Sequence, residues 1–464
     1  MQNYDAIVIG GGPGGYECAI RLSQNGLKTA LIEKDELGGT CLNRGCIPTK
    51  ALLHSAEVYH SAKNAAKIGV NAGDITFDYE AMVDNSKKIS ARLRSGVAFL
   101  EKSHGVTVYK NSASVKDRET VLLDSGEELK CTHLIIATGS SPARLPVTGT
   151  DLPGVLDSTG PLNLTKCPKD IVIIGAGVIG IEFATLYTRL GVPVTIVEML
   201  DRVLGPFDKD ISDYVESDLK KKGVKLVLGA RVSSIEEGLK VKYSLMKDGT
   251  EGCAEGEYVL VAGGRIPNSR GFGLEEAGVR MDRRGLVEVD GLCRTNVPGV
   301  YAIGDVNGKM MLAHVASAQG IQVADYIAGL PVKQVNLNRI PSCVYSDPEI
   351  SMVGMTEAQA REAGRDVGTG TFALNGNGRA LTMGAAAGTV KFVYDKATDE
   401  ILGFHMVGPG STELAAEIAA VMECEGTLAE LCNTVHPHPT ISEAVMEAAR
   451  VCHGCCVNAP KARK

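Results

Sequence analysis

Cys41 and Cys46, in LGGTCLNRGCIPTKALLH, are the residues best suited to electron-pair chemistry, because two neighbouring thiols can open and close a disulfide. The segment reads as helix, and five residues of regular helix rise about 7.5 Å. That exceeds the ~7 Å Cα separation across which a disulfide closes. A bridge would therefore need a distorted helix, and Gly45 between the thiols and Pro48 after them can supply the irregularity. Two buried thiols, or two metal ligands, are the other readings. Metal sites generally use shorter spacings and a second ligand pair, and none lies close in sequence, so no metal is expected.

A second group lies near the C-terminus, where VHPHPTISEAVMEAAR carries His436, His438 and Glu443. A histidine titrates near neutral pH and a carboxylate can fix its ring, a pairing suited to general acid/base work. The residues also have a structural reading: Thr440-x-x-Glu443 is a capping box that starts a helix, after prolines that hold the chain extended.

Two glycine turns complete the set. Gly10-x-Gly12-x-x-Gly15 and Gly175-x-Gly177-x-x-Gly180 each follow an apolar run and precede a helical one, and Glu33 and Glu198 each stand 23 positions after the first glycine. Glycine lets a pyrophosphate approach the backbone, the helix start offers unpaired N–H groups, and the carboxylate accepts ribose hydroxyls. Glu198 repels a 2′-phosphate, which favours NAD over NADP; Arg202, four residues on, is the one nearby cation able to reach such a phosphate.

The elements that position these residues follow. YDAIVIGGGPGGYECAIRLSQNGLKTALIEK and IVIIGAGVIGIEFATLYTRLGVPVTIVEM each read as strand, glycine turn, helix and strand, an internal duplication of a βαβ unit. Residues 75–100 read as helix and 105–136 as short β segments ending in HLIIATGSSP. Pro142, Pro146 and Pro153 mark a linker. EYVLVAGGRIPN reads as a buried strand and turn, and GVYAIGD precedes another helix. In the last 125 residues TVKFVYD and ILGFHMVG alternate as a hairpin would and STELAAEIAAVMECEG has helical spacing, which predicts an α+β domain.

GGTCLNRGCIPTK resembles the redox-active motif of the pyridine nucleotide–disulfide oxidoreductases, and its CLNRGCIPTK form is more similar to the dihydrolipoamide dehydrogenase branch than to glutathione or mercuric reductases, which tend toward CVNVGCVP. The resemblance runs through GGGPGGYECAIR, IIATGS, IGAGVIGIE, GRIPN, VYAIGD, MLAH and HPHPTISEA, essentially the whole chain. It implies two Rossmann-like domains, for FAD and NAD, and a C-terminal α+β dimerisation domain: 1–145 for FAD and the disulfide, 146–268 for NAD, 269–337 as a central domain completing the FAD site, and 338–464 as the interface. It places cofactor contacts on Gly10, Gly12, Gly14, Gly15, Glu33, Lys50, Ala113, Asp305 and Ala313, on Gly175, Gly177, Val178, Gly180 and Glu198, and on Thr138, Gly139 and Gly264. Lys50 and Glu182 would pair beside the flavin, although from the residues alone Lys50 is a solvated or capping lysine, Glu182 the third residue of a helix and Asp305 an N-cap.

The same resemblance makes Cys41 and Cys46 the working disulfide, His438 the acid/base, Glu443 its orienting partner and His436 a structural or surface residue. His438 would serve the disulfide of a partner subunit, which implies an obligate homodimer. The activity implied is oxidation of dihydrolipoyl groups with NAD⁺, on a lipoylated acyltransferase or glycine-cleavage protein; no lipoyl-bearing segment is expected before Met1. HVASAQG after MLA departs from the charged residues usual there. The tail RVCHGCCVNAPKARK brings Cys452, His453, Cys455 and Cys456, read as a solvated tail; the alternative is a thioredoxin- or mercuric-reductase-like shuttle through Cys455 and Cys456. A flavoprotein scaffold would not need the Cys41, Cys46 and His438 set.

Composition agrees with these readings. The net charge of −7 argues against a general nucleic-acid or anionic-membrane surface. No run reaches the length of a membrane span and no signal peptide is expected. Thirteen cysteines, an odd number, predict mostly reduced thiols and a cytoplasmic setting.

Overall fold

The computed structural model describes residues 2–460, and these form two compact units, each assembled from separated stretches of chain. The first holds the chain up to Leu145 together with Leu156–Cys167 and Gly263–Leu337. In it β1 (Gln2–Ile9), α1 (Pro13–Gln24) and β2 (Thr29–Ile32) make the predicted βαβ unit, β2 running parallel to β1 with Ile7 opposite Ala30. The apolar run Ala6 to Ile9 is buried on both faces: Ala6 and Val8 pack under helical Cys18, Leu22 and Val323, while Ile7 and Ile9 pack against Val115, Val121 and Leu123 of β segments.

α2 (Gly39–Arg44), α3 (Cys46–Asn64) and α4 (Tyr79–Ser103) follow, then β3 (Thr107–Tyr109), β4 (Ala113–Asp117), β5 (Thr120–Leu123) and β6 (Glu128–Ile136). The sheet order is β3-β2-β1-β6-β5-β4, with β17 (Val300–Ala302) parallel to β6. β7 (Ser140–Pro142) pairs antiparallel with β16 (Arg265–Pro267). α7 (Ala313–Ile327) crosses α1 closely because both are glycine there: a Cβ on Gly14 would lie 2.8 Å from the Ala316 carbonyl, and one on Gly320 2.5 Å from that of Gly14.

In the second unit, Val155 of β8 (Val155–Leu156) with β9 (Ile171–Ile174), β10 (Val194–Val197), β11 (Lys225–Val227) and β15 (Tyr258–Val261) makes a sheet of order β11-β10-β9-β15-β8. α5 (Val178–Arg189) and α6 (Lys209–Lys221) belong to it, and β12 (Ala230–Glu236), β13 (Lys240–Leu245) and β14 (Glu251–Glu255) make an antiparallel meander. The same unit contains β18 (Pro341–Val344), β19 (Ile350–Gly354), α8 (Glu357–Glu362), β20 (Val367–Ala373), α9 (Gly378–Thr382), β21 (Thr389–Asp395), β22 (Ile401–Val407), α10 (Ser411–Glu423), α11 (Leu428–Asn433) and α12 (Glu443–Cys452).

Its sheet has the order β18-β19-β22-β21-β20. The expected hairpin of β21 and β22 forms, but the one-sided alternation does not: every residue of β22 is buried, since α10 and α12 cover one face over Phe404 and Met406, while α8 packs on Leu402 and the Asp208 end of α6 on His405 from the other. Lys391 on β21 is buried against Asp208, Asp210 and Glu357 at 2.6–2.9 Å, three carboxylates that compensate one ammonium taken out of water. Among the described residues no helix is long and apolar enough to cross a membrane.

Candidate active site

The first glycine turn joins β1 to α1. Gly10 has φ +108°, and a Cβ there would lie 2.3 Å from the Ala137 carbonyl; one on Gly15 would lie 1.8 Å from the Gly10 carbonyl. These two are glycine because the turn has no room. Gly12 differs: it precedes α1 at φ −69° and a Cβ on it meets nothing within 4 Å, so the protein's own packing does not demand glycine. A cradle left open at a helix start, where N–H groups lack partners, fits a dinucleotide pyrophosphate. Glu33 stands at the end of β2, accepting from the Gly11 and Asp35 N–H groups at 2.7 Å each.

The second turn repeats this arrangement in the other unit. Gly175 has φ +110°, a Cβ on Gly180 would lie 2.0 Å from the Gly175 carbonyl, and Gly177, before α5, again opens on empty space. Glu198 accepts from Ala176 at 2.5 Å and Leu200 at 2.7 Å. Arg202, the nearby cation, donates to the Gly205 carbonyl. Val178, first residue of α5, is an exposed apolar side chain beside the cradle. Glu182 is the fifth residue of α5 and not the third, which takes it beyond the first turn where the helix dipole acts. It is 3% exposed and accepts from the Tyr345 N–H at 3.1 Å.

At the cysteines the helix is broken, as a bridge requires. α2 ends at Arg44, Gly45 takes φ −144° and ψ −109°, and α3 begins at Cys46. A Cβ on Gly45 would press to 3.0 Å on the Thr40 carbonyl, so glycine permits the break. Cys41 and Cys46 hydrogen-bond to one another, and this contact, with burial, pushes the Cys41 thiol up; the Lys50 ammonium, one turn along α3, pulls the other way. Lys50 is thus electrostatically coupled to the thiol pair.

Around Asp305 the structure shows a network that sequence reasoning missed. The Asp305 carboxylate caps no helix; the short 3₁₀ turn Gly304–Asn307 has Ile303 before it and no side-chain cap. Asp305 instead accepts from Ser140 Oγ at 2.5 Å, and Arg265 donates to the Ser140 hydroxyl at 2.6 Å and its carbonyl at 2.7 Å. Asn268 clasps the neighbouring turn: Thr138 Oγ1 donates to its carbonyl at 2.6 Å and its own N–H reaches the Gly139 carbonyl at 2.9 Å. Gly264, φ +119°, borders β16, Ala113 opens β4 and Ala313 opens α7 behind Leu312. Ser140, Arg265 and Asn268 gave no sequence signal because their partners lie more than a hundred positions away.

The histidine segment is in the second unit. His438 presents a side chain 78% exposed, and its Nδ1 lies 2.8 Å from Glu443 Oε1, which orients the ring and leaves Nε2 outward. Glu443 Oε2 accepts the Thr440 N–H at 2.9 Å. The capping box is therefore only half made: Ser442 precedes α12, and the Thr440 hydroxyl donates to the Pro437 carbonyl. Burial alone would raise the Glu443 carboxyl, but the Thr440 N–H and the His438 ring outweigh it and hold it below the ordinary carboxylate range. His436 is structural and not superficial: its side chain is 4% exposed and its Nε2 lies 2.9 Å from Glu417.

In the tail, Cys455 and Cys456 diverge. Cys456 donates to Glu447 at 2.8 Å, and Cys455 contacts Cys432. The last four residues of the quoted tail, Lys461 to Lys464, lie outside the described residues.

Two nucleotide cradles, a thiol pair across a helix break and an oriented histidine are the parts of a disulfide oxidoreductase. Residues 4–320 match the family model of the pyridine nucleotide-disulphide oxidoreductases and residues 340–449 that of their dimerisation domain, and the chain belongs to this family. It is a flavoprotein disulfide reductase of a class that binds FAD and NAD(P), and its dimerisation domain supports a homodimer. A dihydrolipoyl dehydrogenase from Rhizobium etli is 40% identical, the match covering 99% of this chain and 100% of that protein, and one from Bacillus subtilis is 40% identical over 97% and 98%. Among solved structures, the HOCl-induced flavoprotein disulfide reductase RclA from Escherichia coli has a TM-score of 0.86 at 29% identity, covering 97% of this chain and 100% of that one; LpdA from Mycobacterium tuberculosis has 0.87 at 28%, covering 97% and 99%.

Proposed function

We propose that the protein is a cytoplasmic, homodimeric dihydrolipoamide dehydrogenase that oxidises dihydrolipoyl groups with NAD⁺. The observation that carries this is the His438–Glu443 pair: a ring held at 2.8 Å on one nitrogen and open on the other is a proton acceptor for a thiol arriving from outside. His438 Nε2 takes the proton of the first substrate thiol, and that thiolate attacks Cys41 of the partner subunit, so that the closed Cys41–Cys46 bond breaks, a mixed disulfide forms at Cys41 and Cys46 is left as a thiolate. The second substrate thiol then displaces the cysteine, so the substrate leaves as a disulfide and the protein holds two thiols. Lys50 lowers the energy of negative charge on Cys41. When bound, FAD supplies the two-electron acceptor between this dithiol and the nicotinamide. The flavin would be held by Gly12, Gly15, Glu33, Asp305 and the start of α7 at Ala313. NAD⁺ would be held by Gly177, Gly180, Val178 and Glu198, with Arg202 engaged elsewhere.

The likeness to dihydrolipoyl dehydrogenases along the whole chain supports a lipoyl substrate, carried on an acyltransferase or glycine-cleavage protein. Steady-state turnover with NADH and NADPH, against lipoamide, oxidised glutathione and thioredoxin in parallel, tests it. The expected result is NADH-dependent lipoamide reduction, abolished in Cys41→Ser and Cys46→Ser. Preference for NADPH, or faster turnover of glutathione or thioredoxin, overturns it.

A further inference from the structure

Outside the site just described, one cluster of nucleophilic and basic groups has no part in the reaction. Cys432, near the end of α11, lies with its Sγ 3.6 Å from His453 Nδ1. His453 Nε2 is 2.7 Å from Asp399 Oδ1, and Asp399 Oδ2 accepts the Ala429 N–H at 3.0 Å, so the carboxylate is fixed to the start of α11. The exposed Cys455 hydrogen-bonds to Cys432 from the turn after α12, and its own N–H is tied to the Arg450 carbonyl at 3.0 Å. The result is a thiol, a histidine and a carboxylate in line, with a second thiol beside the first. Among the described residues no group of three or more His, Cys, Asp or Glu side chains is placed to hold a metal ion.

We propose that Cys432 and Cys455 form a second thiol–disulfide exchange site that reacts with low-molecular-weight disulfides, Cys455 being the entry thiol and Cys432 the resolving thiol deprotonated by His453. Cys455 is solvent-facing, so its thiolate, having lost its proton to water, attacks one sulfur of a disulfide RSSR. A Cys455–SR bond forms, the RS–SR bond breaks, and the departing RS⁻ takes a proton from water. Cys432 then gives its proton to His453 Nδ1 and attacks the Cys455 sulfur. The protein disulfide closes, and the second RS⁻ leaves with the proton from His453. Two protein thiols are oxidised and one RSSR is reduced to two RSH, two electrons on each side.

The division of labour follows from the surroundings. Burial and the neighbouring Cys455 push the Cys432 thiol up to about 11, against the Arg450 guanidinium. A thiol so placed attacks slowly unaided and needs a base at its side. The bridge would join α11 to the turn after α12, the two ends of the segment carrying His436, His438 and Glu443.

The test is made on the flavin-loaded full chain in a Cys452→Ser/Cys456→Ser background, incubated with oxidised glutathione, alkylated, and mapped by peptide fragmentation. The expected product is a Cys432–Cys455 cross-link that replaces an early glutathione adduct on Cys455. In His453→Gln and Asp399→Asn the adduct should accumulate and closure slow by roughly tenfold or more, with flavin content unchanged as proof of folding. A Cys455 adduct that never resolves in the parent protein, or closure at equal rate without His453, overturns the proposal.

Discussion

Gly177 and Gly180 sit three residues apart in one turn, yet the structure gives opposite reasons for their being glycine, and exchanging each for alanine separates a ligand cradle from a packing contact. For Gly180→Ala the new methyl would lie 2.0 Å from the Gly175 carbonyl, against 3.4–4 Å for ordinary contact. The turn must open, at a cost of about 3 kcal/mol or more. For Gly177→Ala the backbone, at φ −76° and ψ −173°, already suits alanine and no atom lies within 4 Å. Restricting the unfolded chain stabilises by about 0.4–1 kcal/mol, while alanine is a poorer helix N-cap than glycine by about 0.5–1 kcal/mol. These cancel, so net stability should change by less than about 1 kcal/mol. The methyl would, however, project into the open cradle proposed for the pyrophosphate, and a loss of about 1.4 kcal/mol of binding is tenfold in affinity. The assay is thermal unfolding of flavin-loaded protein beside an NADH titration of lipoamide reduction. Gly177→Ala should raise KM for NADH at least about tenfold at an unchanged midpoint, and Gly180→Ala should unfold earlier. Equal loss of stability in both, or an unaltered KM in Gly177→Ala, would refute the reasoning.

Glu443→Gln keeps an acceptor for the Thr440 N–H and for the His438 ring but removes the charge; dihydrolipoamide oxidation should fall by roughly a hundredfold with flavin content intact, and a loss under threefold would remove Glu443 from the reaction. Glu101 on α4 is fully buried, neither carboxyl oxygen has a hydrogen-bond partner among the described residues, and burial pushes it up to about 8 from 4.5. The folded state then keeps a proton that the unfolded chain has lost, so stability should fall as pH rises from about 4.5 to 8, by at most about 5 kcal/mol at 1.4 kcal/mol per unit. Glu101→Gln should flatten this slope in denaturant titrations at pH 5 to 8.5, and parallel curves for the two proteins would discount the buried carboxyl.

What the sequence disclosed was local. The glycine turns with the strand and helix on either side, and the break at Gly45, are each written within about thirty consecutive residues or fewer, where backbone geometry leaves few alternatives. Sequence could not separate Gly12 from Gly15, because the distinction is whether a carbonyl five residues back occupies the space. The Ser140, Arg265 and Asp305 network was hidden for a related reason: a serine, an arginine and an aspartate carry no mutual periodicity when tertiary pairing alone joins them. His436 reads as structural or superficial, and the residues alone could not decide between the two because Glu417, which covers it, comes from a different helix. Glu443 was legible as a cap and as an orienting group, and it serves in part as both, one oxygen for each.

Glu33 and Glu198 each spend an oxygen on an N–H inside their own glycine turn. Each cradle is thereby shaped during folding, before any adenosine arrives, and the entropic cost of ordering it does not fall on the binding step. Protein stripped of its flavin should accordingly regain it without refolding the turn, and nicotinamide exchange, which every turnover repeats, should proceed on a surface that is already rigid.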